Sequence, residues 1–239
     1  MNKKILFFDI DGTLLTRDFK IPDSTRTALK KAQENGHLIF VNTGRTRAML
    51  PPSVSELGFD GYVLGCGSHI YLHDKLLFFR TVPNLLCKET VQLLRKCKIE
   101  ALFEGNTEIM YDSASPAQSS FGEKMRQEIP MVDINKFGRE EACTYSFDKF
   151  LVHMLPDSQV EKFRSFCEEH FSYFDHGDGI WEVIQKGISK ATGIRFLLDR
   201  LSIPLEDSFA FGDSPNDLSM LKYAGTSIAM GNSYGNIEK

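Results

Sequence analysis

Short apolar runs alternate with helix-like segments in the first third of this chain, and this alternation limits its fold more than any other feature. Residues 5–8, 37–41 and 61–64 are apolar runs of strand length. The spacing of apolar residues predicts one helix that starts within residues 21–24, with Asp23 or Ser24 as its cap, and ends at Asn35-Gly36, and another over 43–57. Strands that alternate with helices form parallel sheets with helices on both faces. We therefore expect the functional side chains at the carboxyl ends of the strands.

The pattern changes near residue 83 and returns near residue 187. Between these points strands outnumber helices, with strands predicted at 99–103, 108–111, 150–155 and 181–184 and helices at 88–96 and 160–171. From residue 189 onward a helix, a strand at 208–211 and a further helix after Asp213 are predicted. The fold class is therefore α/β, a split core of residues 1–82 and 187–239 interrupted by an inserted α+β domain of residues 83–186.

Composition excludes some classes of partner. The chain has 239 residues, 42% hydrophobic side chains and a formal net charge of -4, with scattered Lys and Arg. Nucleic acid is not an expected partner, because no basic surface is available for its phosphate backbone. The five cysteines contain no Cys-x-x-Cys pair, which is typical of reduced thiols in the cytosol: Cys66, Cys87, Cys97, Cys143 and Cys167.

No segment predicts export or membrane insertion. The apolar run after Lys4 stops at Asp9, which is too short for the core of a signal sequence. No other run approaches the length of a membrane span. We expect a cytoplasmic protein that is a monomer or a weak dimer.

Two carboxylates lie two residues apart directly after the first apolar run, in the sequence Asp9-Ile10-Asp11-Gly12-Thr13-Leu14. Residues i and i+2 of a strand point the same way, so Asp9 and Asp11 are expected to face one small space. Close carboxylates repel each other unless a cation or a shared proton lies between them, and Mg²⁺ prefers oxygen ligands. These residues predict a phosphoryl-transfer site. The alternative is an ordinary strand-to-turn exit, since Asp and Gly are common in turns.

A second acidic strand end occurs at Gly212-Asp213-Ser214-Pro215-Asn216-Asp217. Together with Asp9, Asp213 would supply two carboxylate ligands to one cation. Asn216 and Asp217 lie at the start of the following helix, where backbone N–H groups favour anions. The alternative is a capped helix start with Pro215 at its first position.

Two weaker signals concern anion binding. In Asn42-Thr43-Gly44-Arg45 a strand ends and a helix is predicted to begin, so the Thr43 hydroxyl and the Gly44 N–H are candidates for a phosphate oxygen. A Thr at a helix start is also a common cap. Lys190 lies in the first turn of a predicted helix, where the helix dipole disfavours a cation unless an anion lies opposite.

The four motifs, in this order and spacing, resemble those of the haloacid dehalogenase superfamily of phosphatases, and most of all its Cof-type branch. They are Asp9-x-Asp11-Gly12-Thr13-Leu14, Thr43-Gly44-Arg45, Lys190, and Gly212-Asp213-x-x-Asn216-Asp217. The resemblance implies a Rossmann-like core with an α+β cap inserted between the second and third motifs. It extends in layout from Met1 to about Gly231.

The resemblance also implies roles for the acids. Asp9 is expected to attack phosphorus and form an aspartyl-phosphate, and Asp11 to act as the general acid and base. Mg²⁺ is expected to bind Asp9, the carbonyl of Asp11 and Asp213, with Asp217 supporting these ligands. The phosphoryl oxygens are expected to be held by the remaining motif residues, Thr43, Gly44, Lys190 and Asn216.

The expected substrate is a small phosphorylated metabolite, either a sugar phosphate or a phosphorylated cofactor. In one departure from the family, Cys66-Gly67-Ser68 stands where many relatives have Asn-Gly-Ala, so a polar group beside the substrate is missing. In another, Ala191 replaces a Gly that commonly follows the motif lysine. Two alternatives use similar chemistry: a phosphomutase that returns the phosphoryl group to a sugar, and a signalling receiver that accepts it on an aspartate.

Overall fold

The computed structural model describes residues 3–137, 145–234 and 237. Thirteen β-strands lie within these residues: β1 Ile5–Phe8, β2 Leu38–Asn42, β3 Gly61–Leu64, β4 His69–Leu72, β5 Lys75–Phe79, β6 Ile99–Glu104, β7 Ile109–Tyr111, β8 Val132–Asp133, β9 Lys149–Met154, β10 Phe171–Asp175, β11 Ile180–Gln185, β12 Ser208–Gly212 and β13 Thr226–Ala229.

Seven α-helices accompany the strands in the described residues: α1 Asp23–Glu34, α2 Pro52–Ser55, α3 Asn84–Cys97, α4 Ser120–Glu128, α5 Val160–His170, α6 Lys190–Leu201 and α7 Leu218–Tyr223. Short 3₁₀ turns complete the connections, including one at Pro215–Asp217 just before α7. None of the helices in the described part of the chain is long and apolar enough to cross a membrane.

The chain divides into two compact units. The first contains the chain up to Arg45, Leu50–Phe79 and the chain from Gly187 onward. The second contains Thr46–Met49 and Arg80–Lys186. We call them the core unit and the inserted unit.

The sheet of the core unit has seven strands in the order β13-β12-β1-β2-β3-β4-β5. Strands β13 through β3 run parallel, and β1 lies between β12 and β2. Central parallel strands are buried on both faces and therefore consist of continuous apolar runs. This explains the sequences Ile-Leu-Phe-Phe in β1 and Ser-Phe-Ala-Phe-Gly in β12. The predicted α/β class with a parallel sheet is confirmed.

Two apolar clusters cover the two faces of this sheet. Phe7 and Phe40 pack with Leu197 of α6 on one face. Ile39 and Val41 pack with Leu29 of α1 on the other face. Alternate residues of β2 therefore point to opposite clusters, as the pleat of a strand requires.

The inserted unit contains a six-stranded sheet in the order β10-β11-β9-β6-β7-β8. All its pairs are antiparallel except the short parallel pair β7–β8. Its core contains Phe103, Phe150 and Trp181 from the sheet together with Val91 of α3 and Phe163 of α5. An antiparallel sheet packed with helices is the architecture that the sequence predicts for this segment.

The predicted helix over residues 43–57 is wrong. The structure has a 3₁₀ turn at Arg47–Met49 and the single-turn helix α2 instead. Pro51 and Pro52 explain the difference, because proline lacks an N–H and disfavours the helical conformation in the residue before it. The sequence analysis also predicted no strands for the antiparallel hairpin β4–β5, which extends the core sheet beyond β3.

Four cysteines lie in the described residues and form no disulfide there: Cys66, Cys87, Cys97 and Cys167, all buried. Cys143 lies outside the described residues. The thiols of the other four thus pack as small apolar side chains.

Candidate active site

Three acidic side chains meet at the carboxyl ends of two neighbouring strands. Asp9 follows β1 and Asp213 follows β12, and these strands pair in parallel. One carboxylate oxygen from each of Asp9, Asp213 and Asp217 lies within 4.8 Å of the others. All three residues are buried, with exposed fractions of 5%, 4% and 0%. The two acidic strand ends that the sequence singled out therefore lie together.

The turn after β1 contacts the Asp213 carboxylate closely. Gly12 has a φ of +83°, and a Cβ atom at this position would lie 2.2 Å from Asp213 Oδ2. Only glycine has both the conformation and the size for this approach. The Thr13 hydroxyl then donates a hydrogen bond of 3.2 Å to Asp213 Oδ1. The Asp-Gly-Thr sequence of the first motif thus orients the acid of the fourth motif.

Lys190 provides the positive charge of this acidic group. It is the first residue of α6 and only 1% exposed. Its Nζ lies 2.6 Å from Asp9 Oδ1 and 2.5 Å from Asp217 Oδ1. A cation in the first turn of a helix opposes the helix dipole. The two carboxylates therefore explain why a lysine is found there.

Burial and charge shift the pKa values of this group in opposing ways. Burial raises the pKa of the Asp9 carboxyl above its ordinary value, against the lowering effect of Lys190. Burial also raises the pKa of Asp213, and the nearby Asp217 adds to this shift. Burial alone would lower the pKa of the Lys190 ammonium, but Asp9 and Asp217 raise it. The lysine thus stays charged, and the acids gain from any further cation.

Asp217 is fully committed to protein contacts. Its Oδ2 accepts hydrogen bonds from the backbone N–H groups of Asp213 and Ser214 at 2.9 and 3.0 Å. Its Oδ1 is held by Lys190. Asn216 lies beside it, with Oδ1 2.7 Å from the Ser214 hydroxyl and 3.4 Å from Lys190 Nζ. Ser214 and Asp217 also form a capping box, so the helix-cap interpretation and the site interpretation apply to the same residues.

Asp11 differs from the other acids. Strand β1 ends at Phe8, and a turn held by bonds from Leu14 and Leu15 to the Ile10 carbonyl follows it. The strand-alternation argument for Asp9 and Asp11 is therefore wrong at this point. The Asp11 side chain is 49% exposed and forms an ion pair with Arg45. Arg45 Nε donates to Asp11 Oδ2 at 2.7 Å, and Arg45 Nη2 donates to Asp11 Oδ1 at 2.8 Å.

Thr43 and Gly44 follow β2 in a loop rather than at the start of an α-helix. The Thr43 hydroxyl accepts a hydrogen bond of 3.1 Å from the Arg45 N–H. Thr43 is 1% exposed and lies at the end of the strand next to β1. No helix begins at Thr43, so the predicted helix dipole is absent there. Thr43 does lie at the carboxyl edge of the sheet, where the sequence predicts the functional side chains.

Several residues of this region were not predicted from the sequence. Arg45 and Thr13 belong to recognised motifs, so their contacts with Asp11 and Asp213 could have been proposed from them. For Asn42 the available signal was different. It is a polar residue in an otherwise apolar strand, and it lies on the same face of that strand as Phe40. It is completely buried, and its amide donates to the Lys190 carbonyl at 3.0 Å.

The donor set fits a hard divalent cation. The candidate ligands are oxygens only, which Mg²⁺ prefers over nitrogen and sulfur ligands. Asp217 is occupied by Lys190 and two backbone N–H groups, which leaves Asp9 and Asp213 as the carboxylates suited to bind the ion directly. The backbone carbonyl of Asp11, which the family resemblance implies as a further ligand, stays a prediction.

Comparison with known proteins gives a consistent result. The model of the haloacid dehalogenase-like hydrolase family matches residues 6–239. YkrA of Bacillus subtilis is 28% identical over 97% of this chain and 88% of its own length. The pyridoxal phosphate phosphatase YbhA of Escherichia coli is 26% identical over 97% of this chain and 89% of its own length.

Similar solved structures show the same fold. The structure of BT4131, a sugar phosphatase of subclass IIB of this superfamily, superposes with a TM-score of 0.80. The match has 25% sequence identity and covers 99% of this chain and 90% of that one. The resemblance derived from the four motifs is confirmed.

Proposed function

The chain belongs to the haloacid dehalogenase-like hydrolases and is a phosphatase of that family, and from this premise we propose that it hydrolyses phosphate monoesters of small metabolites through an aspartyl-phosphate at Asp9, with bound Mg²⁺. The observation that carries the proposal is the position of the Asp9 carboxylate, which is buried in contact with Lys190 Nζ at 2.6 Å and has an Asp213 carboxylate oxygen within 4.8 Å. Such a carboxylate has both a cation and a candidate cation ligand beside it. A dianionic phosphoryl group can approach it only where positive charge offsets the repulsion.

In the first step, an Asp9 oxygen attacks phosphorus and the bond to the leaving oxygen breaks. Asp11 donates a proton to that oxygen, so that an alcohol leaves. In the second step, water attacks the phosphorus of the aspartyl-phosphate, Asp11 takes the proton, and inorganic phosphate leaves with the Asp9 carboxylate restored. Covalent catalysis divides one difficult displacement into two easier ones.

The position of Asp11 supports a role different from that of Asp9. Its carboxylate is about half exposed, whereas Asp9 is buried, so the two acids are in different environments. Different environments let two carboxyl groups take different roles. Arg45 orients the Asp11 carboxylate with a two-point contact, which limits its side-chain rotamers.

The phosphoryl oxygens are assigned to Lys190 and Asn216, which contact each other, and to Thr43 and Gly44 on the neighbouring strand end. These groups stabilise charge that moves onto the oxygens in the transition state. Mg²⁺ bound by Asp9, Asp213 and the carbonyl of Asp11 would neutralise charge on the phosphoryl group and orient it for in-line attack. Asp217 holds Lys190 and the Asp213 backbone in place.

The proposed substrates are sugar phosphates or phosphorylated cofactors. Two similar proteins support this range, one a sugar phosphatase and the other a pyridoxal phosphate phosphatase. The net charge of -4 gives no support for a nucleic acid substrate. The monomeric or weakly dimeric state and the cytoplasmic location stay predictions.

The test is steady-state release of inorganic phosphate from a panel of about a hundred phosphorylated metabolites with Mg²⁺ present. Asp9→Asn should lower kcat by about 10³-fold or more, because the amide is a poor nucleophile. Its circular dichroism spectrum should match the wild type. Asp18→Asn, an exposed change in the same unit, is the matched control and should keep full activity.

Three results would contradict the proposal. Retained turnover in Asp9→Asn removes the nucleophile assignment. An isomerised sugar phosphate without phosphate release indicates a phosphomutase. One stoichiometric labelling of the protein without turnover indicates a receiver.

A further inference from the structure

Asn42 is a polar residue in a position that packing alone would fill with an apolar one. It ends β2, has 0% exposure and lies two residues after Phe40. Phe40 packs in the cluster that contains Ile194 and Leu197 of α6. Because residues i and i+2 of a strand share a face, Asn42 points toward α6.

The Asn42 carboxamide has one firm contact and one unmatched atom. Its Nδ2 donates to the backbone carbonyl of Lys190 at 3.0 Å, which fixes the orientation of the amide. Its Oδ1 is buried and has no hydrogen-bond partner among the residues that the structure describes. A buried acceptor without a protein partner lowers stability relative to an apolar side chain of the same shape. Stability alone therefore does not explain an asparagine here.

The contact with Lys190 lies where α6 begins. Ser189 caps the helix, and its hydroxyl and the Thr192 side chain form a capping box. A Cβ on Gly67 would lie 2.5 Å from the Ser189 carbonyl oxygen, so the loop after β3 contacts the helix start from another direction. The first turn of α6 is thus held by its own cap, by Gly67 and by Asn42.

The position of this turn sets the position of the Lys190 ammonium. The Nζ atom reaches Asp9 Oδ1 at 2.6 Å and Asn216 Oδ1 at 3.4 Å from a helix residue whose carbonyl Asn42 holds. A charge-assisted hydrogen bond weakens steeply when its geometry changes. A small shift of the first turn would therefore weaken the contact between Lys190 and any anion at Asp9.

We infer that Asn42 is a positioning residue, which holds the first turn of α6 so that Lys190 binds the phosphoryl group in the correct place. The inference rests on the proposed function, since it assigns Lys190 to the phosphoryl oxygens. Asn42 itself does not touch the reacting atoms. Its contribution is to anion affinity, and it lowers rather than raises the stability of the fold.

The test compares Asn42→Leu with the wild type in three measurements: the Kd of orthovanadate with Mg²⁺ present, the Kd of Mg²⁺ alone by calorimetry, and the Tm without either. Leucine keeps the shape and removes the amide. We expect vanadate affinity to fall by about tenfold, because the variant loses the hydrogen bond from Asn42 to the Lys190 carbonyl that positions the lysine. The affinity for Mg²⁺ should not fall, and the Tm should be equal or higher.

The control is Asn35→Leu, because Asn35 is exposed and lies before β2, at the opposite end of this strand from Asn42. It should leave all three measurements unchanged. Asn42→Ala provides a second variant if the leucine does not fit, with the same expected loss of vanadate affinity. Unchanged vanadate affinity in a folded Asn42 variant overturns the inference. A lower Tm with equal loss of Mg²⁺ and vanadate affinity also overturns it, because that result indicates a structural role.

The inference and the proposed function can fail separately. A wild-type protein that binds vanadate but releases no phosphate from any substrate contradicts the proposed function, and the vanadate comparison still decides the role of Asn42. A wild-type protein that binds no vanadate overturns the inference as well.

Discussion

Individual residues at the site combine burial with charge, which is costly unless the charges are matched. Asp9, Asp217 and Lys190 are each at most 5% exposed, and the ammonium lies between the two carboxylates. Removing the Lys190 ammonium leaves the two buried carboxylates without a compensating charge, and breaking a buried ion pair in this way typically costs about 3–5 kcal/mol. Lys190 is therefore tied to the stability of the fold as well as to the proposed chemistry.

His69 gives a prediction about pH at the residue scale. Burial lowers the pKa of this imidazole to about 4, below its value of about 6.5 in an unfolded chain. Between these pH values the unfolded state binds more protons, so stability falls as pH falls. The His69 contribution is fully present above pH of about 6.5 and declines by at most about 3 kcal/mol toward pH 4.

Urea denaturation between pH 4 and 7 checks this prediction. The His69→Asn variant should show a shallower fall in the free energy of unfolding than the wild type across this window. His73→Asn is the control, because His73 is exposed on the same hairpin. Parallel pH curves for wild type and His69→Asn would show that His69 is not the group responsible.

Among the elements, α6 packs closely against the sheet of the core unit. A Cβ at Gly193 would lie 2.4 Å from Val63 Cγ1 on β3. Because Lys190 is in the same helix one turn earlier, the separation of α6 from β3 also affects the site. The sequence predicted this helix and its lysine, but a glycine inside a helix pattern does not reveal what it contacts.

The Gly193→Ala variant tests this contact. Alanine in a helix normally stabilises by about 0.5–1 kcal/mol relative to glycine, whereas here overpacking against Val63 should destabilise by about 1–3 kcal/mol. Displacement of α6 should also lower kcat/KM. Thermal unfolding and phosphate release measure the two effects.

Ala191→Gly is the matched control for helix α6. It weakens the helix by propensity, about 0.5–1 kcal/mol, without pushing it away from the sheet. It should lower Tm but leave kcat/KM close to the wild-type value. A Gly193→Ala variant as stable and active as the wild type would contradict the close packing of α6 on Val63.

The success of sequence reasoning differed between elements for physical reasons. Strands β1 and β12 were predicted because both faces of each are buried, which gives continuous apolar runs. The segment after Thr43 was predicted as a helix from its spacing, but Pro51 and Pro52 prevent one. The hairpin β4–β5 was missed although β5 contains the apolar run Leu-Leu-Phe-Phe, and this strand differs from β1 and β12 in being largely exposed.

At the scale of the whole molecule, each unit has an apolar cluster of its own. The core unit packs its sheet between α1 and α6, and the inserted unit packs its sheet with α3 and α5. A separate core is the property expected of a domain that folds alone. The boundaries at residues 83 and 186 stay a prediction that a fragment can test.

The fragment of residues 80–186 should fold by itself. Trp181 is the only tryptophan of the chain and is buried in the inserted unit, where its ring stacks on Tyr173 with centroids 4.2 Å apart. We expect the fragment to show a cooperative thermal transition and the emission maximum of the full chain. Emission typical of an exposed indole would contradict an independent domain.

The sequence indicated which residues lie close together better than it indicated how they are arranged. Motif spacing identified Asp9, Asp213 and Lys190, which the fold brings together from the two ends of the chain. It did not reveal that Asp11 pairs with Arg45, because that contact depends on how the loops after β1 and β2 turn. Local turn geometry is set by hydrogen bonds that no residue pattern specifies by itself.

The central claim is that Asp9 and Asp213 bind one divalent ion, and calorimetric titration with Mg²⁺ tests it most directly. The wild type should bind one Mg²⁺ per chain, and Asp213→Asn should weaken binding by about 100-fold, since the loss of one charged ligand costs about 3 kcal/mol. Asp11→Asn should bind nearly as well as the wild type, because the expected ligand at that residue is its backbone carbonyl. Wild-type Mg²⁺ affinity in Asp213→Asn would contradict the account.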